Sequence, residues 1–374
     1  MPAIEWISVE GFKSIRSVDR LLLTDVNVII GSNGSGKSNF IGVFSFLNAI
    51  REGRLQEYVA RAGGANSLLF LGSKTTDSIY IRLSFNDDVN GYEIRLSPGS
   101  GDSLIPISEK VFYWDKRYTS PYDRNIPISG LEAGISTKLP DAISEYVQSH
   151  LDRWRLYHFH DTSSNSPMKA TNDIDDNRYL RYDGSNLAAF LHMLQQRHPD
   201  SYRIILGTIR RVAPFFQDFV LEPSALNPNR IRLEWKHTGS DAYFNASMLS
   251  DGSVRFIALA TLLLQPAELR PSIILIDEPE LGLHPYALTM LASMVKQASA
   301  QTQIILSTQS ALLLDHFNPG QVLVADKVDN GTGFNRLSED SLGDWLEDYS
   351  LGQLWEKAEF GGRPNGANST SDAR

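Results

Sequence analysis

The stretch Gly31-Ser32-Asn33-Gly34-Ser35-Gly36-Lys37-Ser38 decides the fold. Its two outer glycines and its final Lys-Ser pair have the spacing of a P-loop. The apolar run Val26–Ile30 before it predicts a strand, and residues 39–50 after it have apolar residues at helical spacing. A strand, a glycine-rich loop and a helix in this order predict a phosphate-binding loop, whereas the alternative is a plain surface turn before a helix.

Each position of this loop has an expected role toward a bound triphosphate. Glycines let the backbone wrap around phosphates, and N–H groups at a helix N-terminus point toward them. Lys37 is expected to reach the β- and γ-phosphates, and the Ser38 hydroxyl is expected to ligate Mg²⁺. The predicted cofactors are ATP and Mg²⁺. The predicted contacts are Gly31, Ser32, Asn33, Gly34, Ser35, Gly36, Lys37, Ser38 and Asn39.

A second acidic element follows the buried strand predicted at 273–276. Asp277, at the carboxyl end of that strand, is positioned to hold Mg²⁺ or its water shell. Glu278 can face the γ-phosphate and orient or deprotonate the attacking water. The alternative interpretation is an ordinary acidic turn before Pro279.

The segment Leu249-Ser250-Asp251-Gly252-Ser253 precedes a long apolar helix predicted at 252–264. Free N–H groups and the helix dipole make such a helix start an anion site. A simple N-cap by Ser250 or Asp251 explains the same residues, and the pattern alone leaves both interpretations open.

Alternating signals along the chain predict an α/β fold. Apolar strands separated by helices from residue 251 onward indicate a mostly parallel sheet buried on both faces, which the strand before the P-loop should join. The middle of the chain then forms a β-rich and helical insertion lobe. Later strands are predicted at 303–306 and 321–325, and a helix at 285–298. The predicted parts are 1–74 and 246–358 for the core, 75–245 for the lobe, and 359–374 for a disordered tail.

The lobe itself is predicted to change from strands to helices. The segments Ile79–Phe85 and 92–96 have strand patterns, and 187–196 and 202–212 have helical spacing. A further strand is predicted at 231–235.

Composition narrows the class of protein. No apolar run is long enough to span a membrane, the first residues lack the pattern of a signal peptide, and cysteine is absent. We therefore expect a soluble cytoplasmic protein that has no membrane partner. The net charge of −9 gives no support to nucleic-acid binding, although a local basic groove stays open.

The order of these motifs resembles the ABC-type ATPase heads of RecF, the chromosome-maintenance proteins and the OLD family. More narrowly, the chain is similar to the bacterial "AAA family ATPase" group of AAA-21 type, many of which are linked with phage defence. The resemblance covers most of the chain. It includes Gly11–Ser14, Tyr157–Thr162, Asp183–Leu187 and Leu351–Trp355 as well as the motifs above.

The resemblance implies a composite site, because ATP in such heads lies between two subunits. Ser250 and Gly252 would contact the γ-phosphate held by the P-loop of a second copy. Gln309 stands at the switch position and would hydrogen-bond the γ-phosphate or water, although helix capping also explains Gln309 and Ser310. The catalytic group implied is thus Glu278, Lys37 and Gln309. Lys13 and Ser14 would border the adenine.

The chain also departs from the pattern of these heads. Gln56 is the candidate for the Q-loop glutamine, and Asp251 replaces the second-position glycine of the transporter-type signature. The sequence has no coiled-coil arms, and we expect no C-terminal nuclease domain of the OLD type.

Other polar and aromatic residues have structural explanations. His158, His160 and Asp161, with Asp173, Asp175 and Asp176 nearby, are compatible with a second metal site, but such residues also commonly end a strand. Trp154 and Trp235 are expected to pack inside the protein, and the basic residues of 51–61 to line a solvated helix face.

The predicted function is a Mg²⁺-dependent ATPase that dimerises around ATP and drives or gates an effector protein encoded nearby, in anti-phage defence. Two alternatives remain at this stage. One is a RecF-like DNA-repair ATPase that binds DNA directly, and the other is a nucleotide-sensing scaffold with little turnover.

Overall fold

The computed structural model of the chain describes residues 4–163, 165–343 and 345–361. The tail predicted at 359–374 lies outside the described residues from residue 362 onward.

The described residues form strands and helices that range from very short to fifteen residues long. The strands are β1 Ile4–Phe12, β2 Ile15–Leu22, β3 Val26–Ile30, β4 Ile79–Phe85, β5 Asn90–Pro98, β6 Leu104–Tyr113, β7 Tyr122–Asn125, β8 Trp154–Tyr157, β9 Asn172–Asp173, β10 Phe216–Val220, β11 Arg230–Ile231, β12 Glu234–His237, β13 Tyr243–Asn245, β14 Ile273–Asp277, β15 Gln303–Thr308, β16 Val322–Val328 and β17 Gly331–Arg336. The helices are α1 Lys37–Arg51, α2 Leu55–Arg61, α3 Ala65–Leu68, α4 Ala142–Leu151, α5 Leu187–Arg197, α6 Pro199–Val212, α7 Asp251–Leu264, α8 Pro285–Ser299, α9 Ala311–Leu314, α10 Glu339–Leu342, α11 Trp345–Asp348 and α12 Leu351–Glu356.

The chain divides into two compact units. The first, called the P-loop unit, contains Ile4–Leu23, Asn27–Leu151 and the described residues from 307 onward. The second contains Thr24–Val26 and Asp152–Leu306. It is called the acidic-motif unit because it contains the acidic motif, Asp277 and Glu278. Strands β3 and β15 therefore have residues in both units.

The P-loop unit contains an antiparallel sheet in the order β2-β1-β4-β5-β6-β7. Strand β3 in the same unit is buried throughout and pairs in parallel with β16, with Val28 opposite Val322. Strand β17 returns antiparallel to β16 through a two-residue turn at Asp329 and Asn330, whose φ angles of 47° and 63° are those of a type I′ hairpin. This hairpin brings β17 back beside the start of the chain, where the Thr332 N–H donates to the oxygen of Ser14 at 2.7 Å.

The acidic-motif unit is organised around parallel strands. Strand β14 pairs with β8, with Ile273 opposite Trp154, and four of its five residues are buried. The Gln303 N–H at the start of β15 donates to the Ser272 oxygen at 3.0 Å. The parallel pairing expected from the apolar runs is thus observed for β14 with β8, as it is for β16 with β3 in the P-loop unit. In the described part of the chain, no helix is both long and apolar enough to cross a bilayer.

The strand predicted at 231–235 is wrong as a single element. The structure has β11 at Arg230–Ile231 and β12 at Glu234–His237, and these strands pair with different partners. Strand β11 pairs with β9, whereas β12 lies between β10 and β13. Ile231, Leu233 and Trp235 are all buried, so the period-two pattern continues across the point where the chain changes sheets.

Candidate nucleotide-binding site

The P-loop connects the buried end of β3 to the first turn of α1. The Ser35 N–H donates to the Ser32 oxygen at 3.1 Å, which closes the turn, and the Phe40 N–H donates to the Gly36 oxygen at 3.0 Å, which starts the helix. Nζ of Lys37 donates to the oxygens of Gly31 at 2.7 Å and Ser32 at 3.0 Å. The ammonium group therefore lies within the curve of the loop, as expected of a phosphate ligand.

Exposure differs along the loop in a way that suits a ligand. Asn33, Gly34 and Ser38 are exposed, whereas Gly36 and Lys37 are buried. The Ser38 hydroxyl, at the start of α1, is therefore open to a ligand at the helix N-terminus, where N–H groups and the helix dipole favour anions.

Ser14 and Asn39, two predicted ATP contacts, lie next to each other in the same unit. Nδ2 of Asn39 donates to Oγ of Ser14 at 2.7 Å. Lys13 lies beside α1, since a Cβ placed on Gly42 would be 3.7 Å from its Nζ. Burial lowers the pKa of Lys13. The structure thus brings Lys13 and Ser14 next to α1, and their contact with adenine stays a prediction.

Gln309 follows β15 directly and is half-buried. The next residue caps a short helix, because the Leu313 N–H donates to Oγ of Ser310 at 3.1 Å. Capping therefore explains Ser310, and the role of Gln309 toward phosphate or water stays a prediction. Gln56, the Q-loop candidate, directs its amide to the oxygens of Leu104 at 2.7 Å and Leu131 at 2.8 Å.

In the acidic-motif unit, Glu278 has an unusual backbone. Its φ is 44°, in the left-handed region that costs a residue with a side chain about 1–2 kcal/mol. Asp277 ends the strand in extended backbone, and the next residue turns sharply before Pro279. Backbone strain of this kind is concentrated at functional sites.

Histidines lie beside the same turn. Nε2 of His160 donates to the backbone oxygen of Asp277 at 2.7 Å, and the ring of His158 lies 5.9 Å from that of His160. Loss of solvent around the ring, and then the neighbouring His160, lowers the pKa of His158. Asp161 instead accepts hydrogen bonds from Ser163 in its own loop. Within residues 4–163, 165–343 and 345–361, no group of three or more His, Asp or Glu side chains has the geometry of a metal site.

The predicted signature residues, Ser250 and Gly252, belong to the signature segment Leu249–Ser253 and lie at the N-terminus of α7. Oγ of Ser250 accepts from the Ser253 N–H at 3.2 Å, so Ser250 is the N-cap of the helix. Gly252 contacts the turn after Glu278, because a Cβ on Gly252 would lie 2.2 Å from the Gly282 oxygen. Only glycine fits here, and the signature segment therefore packs against the loop that follows the acidic motif.

Arg255 is a site residue that the sequence did not single out. Its side chain is buried and donates to three backbone oxygens, those of Phe159, His160 and Leu281. Burial lowers the pKa of Arg255. The available signal was a single charged residue within the otherwise uncharged stretch 254–264 of α7, since a buried charge needs partners.

Thr332 is a second residue that sequence reasoning missed. It is buried, and its Oγ1 lies 2.8 Å from Oγ of Ser14. The sequence Asp329-Asn330-Gly331 is a strong hairpin signal, and it would have placed a return strand here. It would not have shown that this strand lies against the P-loop.

Comparisons with known proteins show the family and the fold of the chain. The family model described as "AAA domain, putative AbiEii toxin, Type IV TA system" matches residues 26–315. No curated protein sequence matches the chain.

Several solved structures have a similar fold. The head of an Smc protein bound to the C-winged helix domain of ScpA has a TM-score of 0.60 and 18% identity, with 92% of this chain and 99% of that chain covered. An Smc head with an extended coiled coil bound to the C-terminal domain of ScpA, from Pyrococcus furiosus, has a TM-score of 0.57 and 16% identity over 93% and 99% of the two chains. An Smc head with a coiled coil and joint from Pyrococcus yayanosii has a TM-score of 0.53 and 14% identity over 96% and 100%.

These likenesses concern the fold, and they confirm the predicted α/β head of ABC type. The family match covers most of the chain and confirms the predicted AAA-21 type. The chain belongs to the family described as AAA domain, putative AbiEii toxin, Type IV TA system, and it is an ATPase domain with the fold of an Smc-type head.

Proposed function

We propose that this chain hydrolyses ATP with Mg²⁺ and dimerises around the nucleotide, so that turnover drives or gates an effector protein in anti-phage defence. The observation that carries the proposal is the position of Lys37. Its ammonium group lies inside the loop, on the oxygens of Gly31 and Ser32, where a bound triphosphate would meet it. A point charge in this position compensates the negative charge that develops during phosphoryl transfer.

The residues present are suited to Mg²⁺. Ser38 offers a hydroxyl and Asp277 a carboxylate, and hard oxygen donors of this kind are the ones that Mg²⁺ prefers. When bound, the ion would neutralise charge on the phosphate oxygens. Ser38 and Asp277 would hold it, and Glu278 would orient the attacking water and accept its proton.

The dimer is supported by the exposure of the signature segment. Ser250 is exposed and Gly252 is half-exposed at the N-terminus of the fourteen-residue helix α7. In the proposed dimer, these two residues contact the γ-phosphate held by the P-loop of the other copy, with the helix dipole favouring the anion. Gln309 would add a neutral hydrogen bond to the γ-phosphate or to water.

Two comparisons support a partner and a pathway. Two of the similar Smc heads were solved with a bound domain of ScpA, so a head of this fold can present a surface to another protein. The family description names a toxin of a type IV toxin–antitoxin system, which supports a role in defence. We therefore propose that a protein encoded nearby is the effector.

Phosphate release by the purified chain tests the proposal. We expect turnover at saturating ATP with Mg²⁺ and none with EDTA. Lys37→Ala should abolish tight binding of Mg-ATP because it removes the charge on the phosphates. Lys74→Ala, at an exposed position of the same unit, is the matched control and should bind as the unmodified chain does. Wild-type affinity in Lys37→Ala would overturn the assignment of the loop, and absence of turnover with intact binding would favour a nucleotide-sensing scaffold.

A further inference from the structure

Three separate segments of the P-loop unit meet at the last glycine of the loop. They contribute Ser14 after β1, Gly36 and Asn39 around the start of α1, and Thr332 on β17. We infer that Thr332 is a positioning residue, which sets the P-loop for the phosphates by acting on Gly36 and Ser14. The inference rests on the proposed function, since it assumes that this loop binds a nucleotide.

The first support is steric. Gly36 has a φ of 104°, a conformation that favours glycine, and it is the residue before α1. A Cβ on Gly36 would lie 2.0 Å from Oγ1 and 2.7 Å from Cγ2 of Thr332. Thr332 is only 4% exposed, so its side chain is held in place and leaves no room for a side chain at Gly36. The orientation of the Gly36 peptide, and with it the start of α1, is therefore limited by the threonine.

The second support is a chain of hydrogen bonds. Oγ1 of Thr332 and Oγ of Ser14 are 2.8 Å apart, and the Thr332 N–H donates to the Ser14 oxygen at 2.7 Å. Nδ2 of Asn39 donates to the same Ser14 hydroxyl at 2.7 Å. Asn39 lies in the first turn of α1, two residues after Lys37. Strand β17 is thus linked through one serine to the helical turn that carries the phosphate-binding residues.

The hydroxyl oxygen of Thr332 takes part in both contacts. It is the atom nearest to a Cβ built on Gly36, with the methyl group and Cβ next to it, and it also bonds to Ser14. A change that removes only the hydroxyl group should let the first turn of α1 shift, while the packing against Gly36 is kept. Small displacements of phosphate ligands lower affinity, because the site depends on preset geometry.

The experiment compares two variants at this position. Thr332→Val keeps the shape and removes the hydroxyl, and we expect the Kd for Mg-ATP to rise about three- to tenfold, the effect of one hydrogen bond. Thr332→Ser keeps the hydroxyl and should stay within about twofold of the unmodified chain. Thr261→Val is the matched control, since Thr261 is also buried and its hydroxyl donates to the Ile257 oxygen within α7. It should leave the Kd unchanged. Titration calorimetry gives the Kd, and melting without nucleotide reports folding.

Ser14→Ala removes the same hydrogen bond from the other side. It should raise the Kd by a similar factor, and the double variant Ser14→Ala with Thr332→Val should add little beyond either change alone. If Thr332→Val does not fold, the Kd is measured instead for Ser14→Ala and for the double variant Ser14→Ala with Thr332→Ser. Ser14→Ala should raise the Kd, and Thr332→Ser should add little to that rise.

The outcomes separate this inference from the proposed function. If the unmodified chain does not bind Mg-ATP, the proposed function fails and the inference with it. If the chain binds, Lys37→Ala does not, and Thr332→Val binds as tightly as the unmodified chain, only the inference is overturned. Equal losses in Thr332→Val and Thr332→Ser, or fully additive losses in the double variant, would also overturn it. The expected result is a loss of affinity in Thr332→Val and near-normal affinity in Thr332→Ser. The effects of Ser14→Ala and Thr332→Val should not add.

Discussion

Nη1 of Arg255 donates to the backbone oxygen of Leu281, three residues beyond Glu278. Nε of the same guanidinium donates to the Phe159 oxygen at 2.9 Å. A single buried side chain on α7 therefore holds both the segment that follows β8 and the turn that follows the acidic motif. Since α7 begins just after Ser250, Arg255 joins this helix to the turn that follows Glu278.

Replacing this guanidinium should destabilise the fold more than a surface change. Arg255→Met removes donors from three backbone oxygens in a largely buried environment, and one such unsatisfied group costs about 1–3 kcal/mol. We expect the free energy of unfolding to fall by about 2–4 kcal/mol, measured by urea denaturation. Arg203→Met is the control, because Arg203 is exposed and its pair with Asp200 should contribute within about 0.5 kcal/mol. Equal effects in the two variants would show that Arg255 does not stabilise the turn.

Glu278→Gln separates nucleotide binding from turnover. The variant keeps the shape of the side chain and removes the carboxylate that should accept the proton of water. Lys37 and Asp277 are unchanged, so Mg-ATP should bind while the rate of phosphate release falls by about two to four orders of magnitude. Glu268→Gln, an exposed glutamate of the same unit, should keep the original rate. A rate within tenfold of the unmodified chain in Glu278→Gln would exclude this residue as the general base.

The backbone at Glu278 predicts a second, independent difference. With φ at 44°, glycine should be accommodated better than any residue with a Cβ. Both Glu278→Gly and Glu278→Ala remove the carboxylate, so both should lose turnover. We expect Glu278→Gly to be more stable than Glu278→Ala by about 1 kcal/mol in thermal or urea unfolding. If alanine were the more stable of the two, the strained conformation assigned to this residue would be wrong.

The parts that were predictable from the sequence depend on local chemistry. Val26–Ile30 and Ile79–Phe85 were predicted with the bounds that the structure has, because each is a short run with strong strand character next to turn residues. The start of α1 at Lys37 differs from the predicted start by two residues, since the helix begins inside the P-loop motif rather than after it. The P-loop could therefore be predicted from the local sequence, without knowledge of tertiary contacts.

Long-range contacts explain what the sequence did not reveal. Ser14 and Thr332 are 318 positions apart in sequence, and no pattern in either segment indicates that their hydroxyls meet. Arg255 is similar, because its partners Phe159 and Leu281 offer only backbone oxygens, which every residue possesses. A hydrogen bond to a backbone oxygen does not depend on the residue type of the acceptor. Such a bond therefore cannot be predicted from the sequence and is seen only in the folded chain.

The composite site gives the last prediction, which concerns the assembly of two copies. If ATP joins two copies through Ser250 and Gly252, Glu278→Gln should accumulate an ATP-dependent dimer, or a larger assembly of such dimers, because it binds the nucleotide without hydrolysing it. Light scattering with and without Mg-ATP measures this directly.

Adding Ser250→Arg to Glu278→Gln should then abolish the ATP-dependent association through bulk and charge at the facing surface. Loss of the N-cap is a separate effect, since Oγ of Ser250 accepts from the Ser253 N–H, and such a cap contributes about 1 kcal/mol. Ser250→Ala in the same background is therefore the matched control, because it loses the cap without adding bulk. We expect the arginine variant to remain monomeric with ATP bound to each copy, whereas the alanine variant still associates to a measurable degree. An oligomeric state that is the same with and without ATP in Glu278→Gln, and unchanged by Ser250→Arg, would contradict the composite site and leave an ATPase that acts through its P-loop alone.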